Sequence, residues 1–308
     1  MKFEVTILGS SSALPTSKRY LTAHSLNVNE RFFLIDCGEG TQIQLRKYKV
    51  KFSRINHIFI SHLHGDHYYG LFGLISSFDL LGRKTDLHIY SPEGLKELVL
   101  SQFKAPYYRL SFNLVFHEID TCTYNKLYED QGLEVFSFPL VHRIPTIGFV
   151  FREKERKRNI IKEKIEKYNL SLVDIRKIKD GEDLLLESGE VIKNRSLTKD
   201  PVPACSYAYC SDTAYTESIL PYIKDCQLLY HEATFTEDFH ERATETMHST
   251  AKQAAKIAQL ANVKRLIIGH LSARYKDYSV FLQEAQEVFH DTILAEDGMQ
   301  VQGIKKEN

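Results

Sequence analysis

His62-Leu63-His64-Gly65-Asp66-His67 places three imidazoles and one carboxylate within six residues. These two side-chain types are ordinary ligands of divalent metals, and zinc is the usual occupant of sites built from them. The cluster follows Ile55-Asn56-His57-Ile58-Phe59-Ile60, a β-branched, apolar run that reads as a buried strand. Polar groups crowded at the mouth of a buried strand are costly unless something pairs with them, and a cation does so. Four ligands in one short loop splay too widely to share one ion. The pattern therefore predicts two adjacent ions, each completed from elsewhere in the chain. The scattered histidines His57, His88, His117 and His290 are expected to be solvated or to make local hydrogen bonds.

Three downstream residues could complete the pair: His142, Asp212 and His270. Each follows an apolar, strand-like run, in Leu140-Val141-His142, Cys210-Ser211-Asp212 and Ile268-Gly269-His270. Strand ends are where loops of an α/β sheet gather functional groups.

The elements that must position them are legible as short runs. Strands are predicted over 2–8, 31–35, 55–60, 86–90, 133–140, 146–151, 206–209, 228–230 and 264–268. Helices are predicted over 41–48, over 94–101 with Ser91 as cap and Pro92 at the first position, and over 249–261 with Ser249 or Thr250 as cap. Strands interspersed with helices through both halves indicate an α/β protein, expected as one domain over 1–308. The composition, 43% hydrophobic and 26% charged, is that of an ordinary globular chain. Five scattered cysteines without a Cys-x-x-Cys pair fit reduced thiols. The N-terminal segment lacks a signal-peptide pattern and no run approaches a membrane span, so a soluble cytoplasmic protein is expected, with no membrane partner.

The formal net charge is zero, but the basic residues are clustered. Residues 152–179 hold eleven Lys and Arg against five Asp and Glu. Ile160, Ile161, Ile165 and Tyr168 recur there at roughly helical spacing. Residues 152–200 read as an inserted basic arm with one short helix, not an independent domain. Beside a metal site able to attack phosphodiesters, such an arm suits a phosphate backbone.

Several longer segments narrow the reading. They are Leu8-Gly9-Ser10-Ser11-Ser12-Ala13-Leu14-Pro15-Thr16 with Arg19, the stretch from Ser61 to Gly73, His231-Glu232-Ala233-Thr234, Met247-His248-Ser249-Thr250, and Gly269-His270-Leu271-Ser272-Ala273-Arg274-Tyr275. With these the chain resembles the metallo-β-lactamase superfamily and, within it, the short bacterial form of the ribonuclease Z family, the tRNA 3′-processing endonucleases. The resemblance implies a four-layer αββα sandwich with metals at one edge of the paired sheets, plus a flexible basic arm. It implies two Zn2+ per subunit, other divalent ions being possible. His62, His64, His142 and Asp212 would hold one ion, and Asp66, His67, Asp212 and His270 the other, with Asp212 bridging. It also implies precursor tRNA as partner and a homodimer. Three positions depart from the family pattern. Tyr20 stands where Asn is expected, Ser211 replaces a usual Gly, and the arm lacks a Gly-Pro-rich motif.

Hydrolysis of an RNA phosphodiester needs a nucleophile at neutral pH, which water held by two zinc ions supplies. Asp66 is expected to orient or deprotonate that water, as the family's proton acceptor. His248 is the candidate acid for the leaving 3′-oxygen, with Glu232 holding its imidazole. The products would be a tRNA 3′-OH and a trailer 5′-phosphate. The alternative is another two-metal phosphodiesterase of the same fold acting on small or cyclic phosphodiesters. A catalytically silent RNA-binding protein would have no chemical need for all seven ligands.

Overall fold

The computed structural model describes residues 2–104 and 109–303. Met1, the first residue of the domain expected over 1–308, lies outside them. The strands are β1 (Phe3–Gly9), β2 (Ala23–Val28), β3 (Arg31–Ile35), β4 (Ile55–Phe59), β5 (Leu87–Ser91), β6 (Leu114–Glu118), β7 (Asn125–Glu129), β8 (Leu133–Pro139), β9 (Ile147–Glu153), β10 (Asn159–Ile160), β11 (Leu184–Leu185), β12 (Val191–Ile192), β13 (Thr198–Lys199), β14 (Ser206–Cys210), β15 (Leu228–Glu232), β16 (Arg265–Gly269), β17 (Thr292–Leu294) and β18 (Gln300–Gln302). Two seven-stranded sheets carry the fold, in the orders β18-β1-β2-β3-β4-β5-β6 and β17-β16-β15-β14-β9-β8-β7.

The period of two along each strand divides its side chains between two cores. On β14, Tyr207 and Tyr209 enter one core while Ala208 and Cys210 enter another. On β16, Ile267 joins the first and Leu266 and Ile268 the second. The first core also takes Phe3, Val5 and Ile7 from β1 and Phe59 from β4, so it lies between the sheets. The second packs the outer face of the second sheet against helices Ala251–Leu260 and Ser279–Val288. A third packs the outer face of the first sheet against helices Thr41–Lys47, Gly70–Leu80 and Leu95–Gln102. The layers are therefore helix, sheet, sheet, helix. Strands buried on both faces explain why β4, β15 and β16 read as continuous apolar runs.

Parallel pairing aligns the strand ends that matter. β14, β15 and β16 are parallel, with Cys210 opposite His231 and His231 opposite Ile268. That register brings Asp212, Glu232 and His270 to one edge. β3 and β4 are likewise parallel, with Ile35 opposite Phe59, so Asp36 and the His62 loop leave the first sheet together.

Three expectations are corrected. The chain does not start a helix at Pro92: β5 extends through Ser91, paired with Glu118, and Gly94 at φ 101° caps helix Leu95–Gln102. His57 is neither solvated nor hydrogen-bonded at its Nδ1, whereas His88 and His117 make the local hydrogen bond expected of them. His57 stacks on His88 with centroids 5.0 Å apart, and His88 Nδ1 lies 3.0 Å from His117 Nε2. Burial, with the neighbouring His88, pushes the His57 pKa down to about 4. The basic segment also holds more structure than one helix. Glu153–Ala204 forms a compact unit of its own, with helices Lys162–Lys167, Leu172–Lys179 and Asn194–Leu197 and the pairs β10–β13 and β11–β12. Leu170, Ile178, Leu184 and Leu197 make its small core. Ser171 caps the second helix through a capping box with Asp174. No helix among the described residues is long and apolar enough to cross a membrane.

Candidate metal centre

The histidine cluster turns from β4 into a short helix, Gly65–Tyr68, followed by helix Gly70–Leu80. The turn is pinned from the side. Cys37 N donates to His67 O at 2.7 Å and Gly70 N to Cys37 O at 2.8 Å. A Cβ on Gly70 would meet Gly38 O at 2.0 Å, so only glycine allows this approach. Met247 and His270, two non-glycine residues at the centre, are held in the left-handed region at φ 56° and 58°. Such backbone persists only where its surroundings over-determine it.

The structure brings all nine sequence-chosen residues to one edge of the paired sheets, in two groups that meet at Asp212. Asp212 Oδ2 lies 3.5 Å from His62 Nε2 and 3.8 Å from His142 Nε2. His64 Nδ1 lies 3.1 Å from His62 Nε2 and 3.3 Å from His142 Nε2. Asp212 Oδ1 faces the other way, 3.4 Å from His67 Nε2 and 3.1 Å from His270 Nε2. Asp66 Oδ2 lies 3.4 Å and 3.5 Å from the same two nitrogens. Ligands about 2.0–2.1 Å from a tetrahedral ion stand about 3.3 Å from one another. Most of these spacings fall close to that value, once around each oxygen of Asp212.

The donor chemistry fits a cation. His67 Nε2, Asp212 Oδ1 and His270 Nε2 are buried and make no hydrogen bond. Buried polar atoms are rarely left so, and three converging ones mark a ligand shell. Burial, reinforced by the neighbouring His67, holds the His62 pKa well below its ordinary value. Burial likewise lowers His64 and His142, so these rings stay neutral, as metal ligation requires. His67 differs. Burial opposes its charge, but the Asp212, Asp66 and Asp36 carboxylates outweigh it and hold the pKa well above the ordinary value. Three carboxylates around one imidazole call for positive charge at that point.

The backs of the rings are fixed, which selects the nitrogen facing inward. His67 Nδ1 is 2.7 Å from Asp36 Oδ2, His142 Nδ1 is 2.9 Å from Met247 O, and His270 Nδ1 is 2.9 Å from Thr234 Oγ1. Ser61 Oγ lies 3.0 Å from His62 Nδ1 and donates to Asp36 Oδ2 at 2.9 Å. Tyr209 OH donates to the same carboxylate oxygen at 2.6 Å. Asp36 thus supports a histidine of each group, directly or through Ser61. In the sequence it reads as part of the turn Asp36-Cys37-Gly38. Its one signal was its position: it ends β3 as the other acids end their strands.

His248 also lies within reach of Asp212 and His270. Its Nδ1 is held by Glu232 Oε1 at 2.8 Å. Burial would lower its pKa, but the charge and hydrogen bond of Glu232 outweigh burial and raise it to about 9. Burial works against the Glu232 carboxylate too, and the His248 charge and hydrogen bond leave it below the usual carboxylate range. A ring protonated at neutral pH acts as a proton donor, not as a ligand. The cleft above the centre has a volume of about 420 Å³, and Arg143, Arg242 and Arg274 line it along with His64, Asp66, His142, Asp212 and His270.

Comparison with known proteins places this arrangement. Residues 3–153 match the family described as Anti-Pycsar protein Apyc1. Over 298 residues the chain is 50% identical to ribonuclease Z of Bacteroides thetaiotaomicron, covering 97% of this chain and 94% of that one. The chain belongs to the ribonuclease Z family. Human tRNase Z, short form, is similar at a TM-score of 0.71 and 28% identity, covering 98% of this chain and 99% of that one. A metallo-β-lactamase fold protein of Bacillus subtilis is similar at a TM-score of 0.69 and 18% identity, covering 98% and 100%. The fold is thus the αββα metallo-β-lactamase sandwich expected from the motifs. The His/Asp cluster fits divalent metal.

Proposed function

We propose that this chain is a zinc-dependent endoribonuclease that removes the 3′ trailer from precursor tRNA. It leaves a 3′-OH on the tRNA and a 5′-phosphate on the trailer. Family membership supports the reading, and one geometric observation carries it: Asp212 turns each carboxylate oxygen to a separate set of imidazoles. In this reading His62, His64, His142 and Asp212 hold one Zn2+, and Asp66, His67, Asp212 and His270 hold a second. Such a pair supplies a nucleophile at neutral pH and neutralises charge on the phosphoryl oxygens.

The chain's own residues do the rest. Asp66 lines the cleft, and His67 and His270 hold its carboxyl well below the usual range despite burial. Kept ionised in this way, it accepts the hydrogen bond that aims the attacking water; the role of proton acceptor is carried to it by family resemblance. His248 has Nδ1 engaged with Glu232, which leaves Nε2 to give a proton to the departing 3′-oxygen. Glu232 fixes the tautomer and keeps the ring charged. The compact unit 153–204, whose basic excess lies in its first half, is read as the part that grips the tRNA body. A homodimer, on family resemblance, and a cytoplasmic location, on the scattered free cysteines, complete the reading.

The test is to incubate the protein with 3′-extended precursor tRNA and with a nitrophenyl phosphodiester, with and without chelator, and to map the RNA ends. Chelator-sensitive cleavage at the tRNA 3′ boundary with the stated end groups is expected. Hydrolysis of the small diester without cleavage of precursor tRNA would overturn the reading in favour of a small-molecule phosphodiesterase.

A further inference from the structure

We propose that Arg143 and Arg242 form a two-guanidinium seat for a backbone phosphate on the His248 side of the cleft, and that this seat biases the centre toward polynucleotides over small diesters. The inference rests on the endoribonuclease reading above.

Both arginines line the cleft, and both are gathered at one point, the last turn of helix His240–Thr246. Arg143 Nη2 donates to the carbonyl of Glu245 at 3.0 Å, and Arg242 Nη1 donates to Glu245 Oε2 at 2.9 Å. A helix C-terminus favours cations there. The same turn runs into Met247, whose carbonyl fixes His142, and then into His248. The two guanidiniums are therefore tied to the segment that carries the group placed to protonate the leaving oxygen. In a polynucleotide, the nucleotide bearing that oxygen has its own 5′-phosphate one step upstream, on the same side of the scissile bond. A nitrophenyl diester has no such phosphate.

Charge favours an anion at this seat. Among the described residues, the only acids lining the cleft are Asp66 and Asp212, and both face the imidazoles. Glu245 is the counter-charge of Arg242, and the pair is 64% and 51% exposed. An exposed pair of this kind is weak, so a phosphate able to take two guanidinium forks displaces it. Arg143 makes its bond to a carbonyl and no ion pair among the described residues.

The experiment measures kcat/KM on precursor tRNA and on bis(p-nitrophenyl) phosphate for Arg143→Ala, Arg242→Ala, the double variant and Arg242→Lys, across a salt series, with the metal content of each protein. The expected ratio of precursor-tRNA to small-diester activity falls about 10-fold in each single alanine variant and about 100-fold in the double. The slope of log(kcat/KM) for precursor tRNA against log salt becomes shallower by about 0.7–0.9 per arginine removed. Arg242→Lys keeps the wild-type slope, because it keeps the charge. An unchanged ratio, or an equal fall on both substrates with loss of metal, overturns the seat. The second result would mean that the arginines only brace the His142 loop. A wild-type protein that hydrolyses the diester but leaves precursor tRNA intact overturns the endoribonuclease reading itself, before any variant is compared.

Discussion

Replacing Glu232 by Gln tests the link between geometry and chemistry most directly. The carboxylate is fully buried and accepts five hydrogen bonds. Oε1 takes the amides of Thr213 and Ser249, both at 3.1 Å, and His248 Nδ1 at 2.8 Å. Oε2 takes the amide and hydroxyl of Thr234 at 2.9 and 2.8 Å. A glutamine keeping its oxygen at the first position turns an N–H2 toward the Thr234 N–H. Losing one charged bond and setting two donors face to face costs about 2–4 kcal/mol of stability. The catalytic effect is separate. His248 stands at about 9 because Glu232 outweighs burial. Without that charge, burial takes its pKa to about 6.5 or lower. The difference is worth roughly 3 kcal/mol of preference for the protonated ring. The acid form is lost as pH rises through the pKa. At pH 8 the protonated fraction therefore falls from about nine-tenths to about one-thirtieth, whereas at pH 6 most of it survives.

The assay is a pH–rate profile of kcat on precursor tRNA, with metal content measured alongside. Wild type should hold its rate up to about pH 9, whereas Glu232→Gln should be slowed about 30-fold at pH 8 and only a few-fold at pH 6. The same sign governs stability. His248 is raised above its unfolded value, so the pair's contribution is complete below about pH 6.5 and is lost as pH rises through about 9. Urea unfolding of the metal-free protein should weaken over that window in wild type and less so in Glu232→Gln. A variant slowed equally at every pH would refute the acid assignment.

Three further outcomes follow from the geometry. Asp212→Ala should lose both metals together, since each oxygen faces its own group; elemental analysis that finds one site still full would dismiss the bridge. Asp36→Asn should weaken metal binding about 10–100-fold while the protein stays folded, read by competition with a chromophoric chelator; wild-type affinity would reduce Asp36 to a packing role. Replacing 153–204 by a short linker should impair precursor-tRNA cleavage far more than hydrolysis of a small diester, and equal losses would remove that unit from substrate binding.

The sheet interiors were legible because they are buried on both faces. β3, β4, β14, β15 and β16 were each located within a residue or two of their observed ends. β2, Ala-His-Ser-Leu-Asn-Val, is buried throughout yet escaped reading because its polar residues break the apolar run, and most of the other missed strands lack the burial. β7 is Asn-Lys-Leu-Tyr-Glu, half exposed at a sheet edge, and β17 and β18 are three residues each. Helix Gly70–Leu80 is apolar enough around its circumference that no helical stripe stands out, although five of its residues are buried. The helix at Ala251–Leu260 was legible for the opposite reason. Its Thr250–Gln253 capping box announces the start and its alanines face one core.

The same contrast separates the parts of the centre. His62, His64, Asp66 and His67 betray themselves by density, because four costly groups at a strand mouth have no bland explanation. His142, Asp212 and His270 were legible as strand-end residues once a second ion was required. Asp36 satisfies the same positional rule and was missed, because one acid in an Asp-Cys-Gly turn already has an ordinary explanation. Only the parallel register of β3 with β4 reveals that it meets His67 and Ser61. Arg143 and Arg242 lie ninety-nine residues apart and meet through Glu245, a contact that no local pattern encodes. Ligands are thus readable where their chemistry is locally expensive. Residues that support ligands or receive substrate are individually cheap, and only the fold reveals them. Asp36 and the two arginines therefore test the reading more severely than the histidines do.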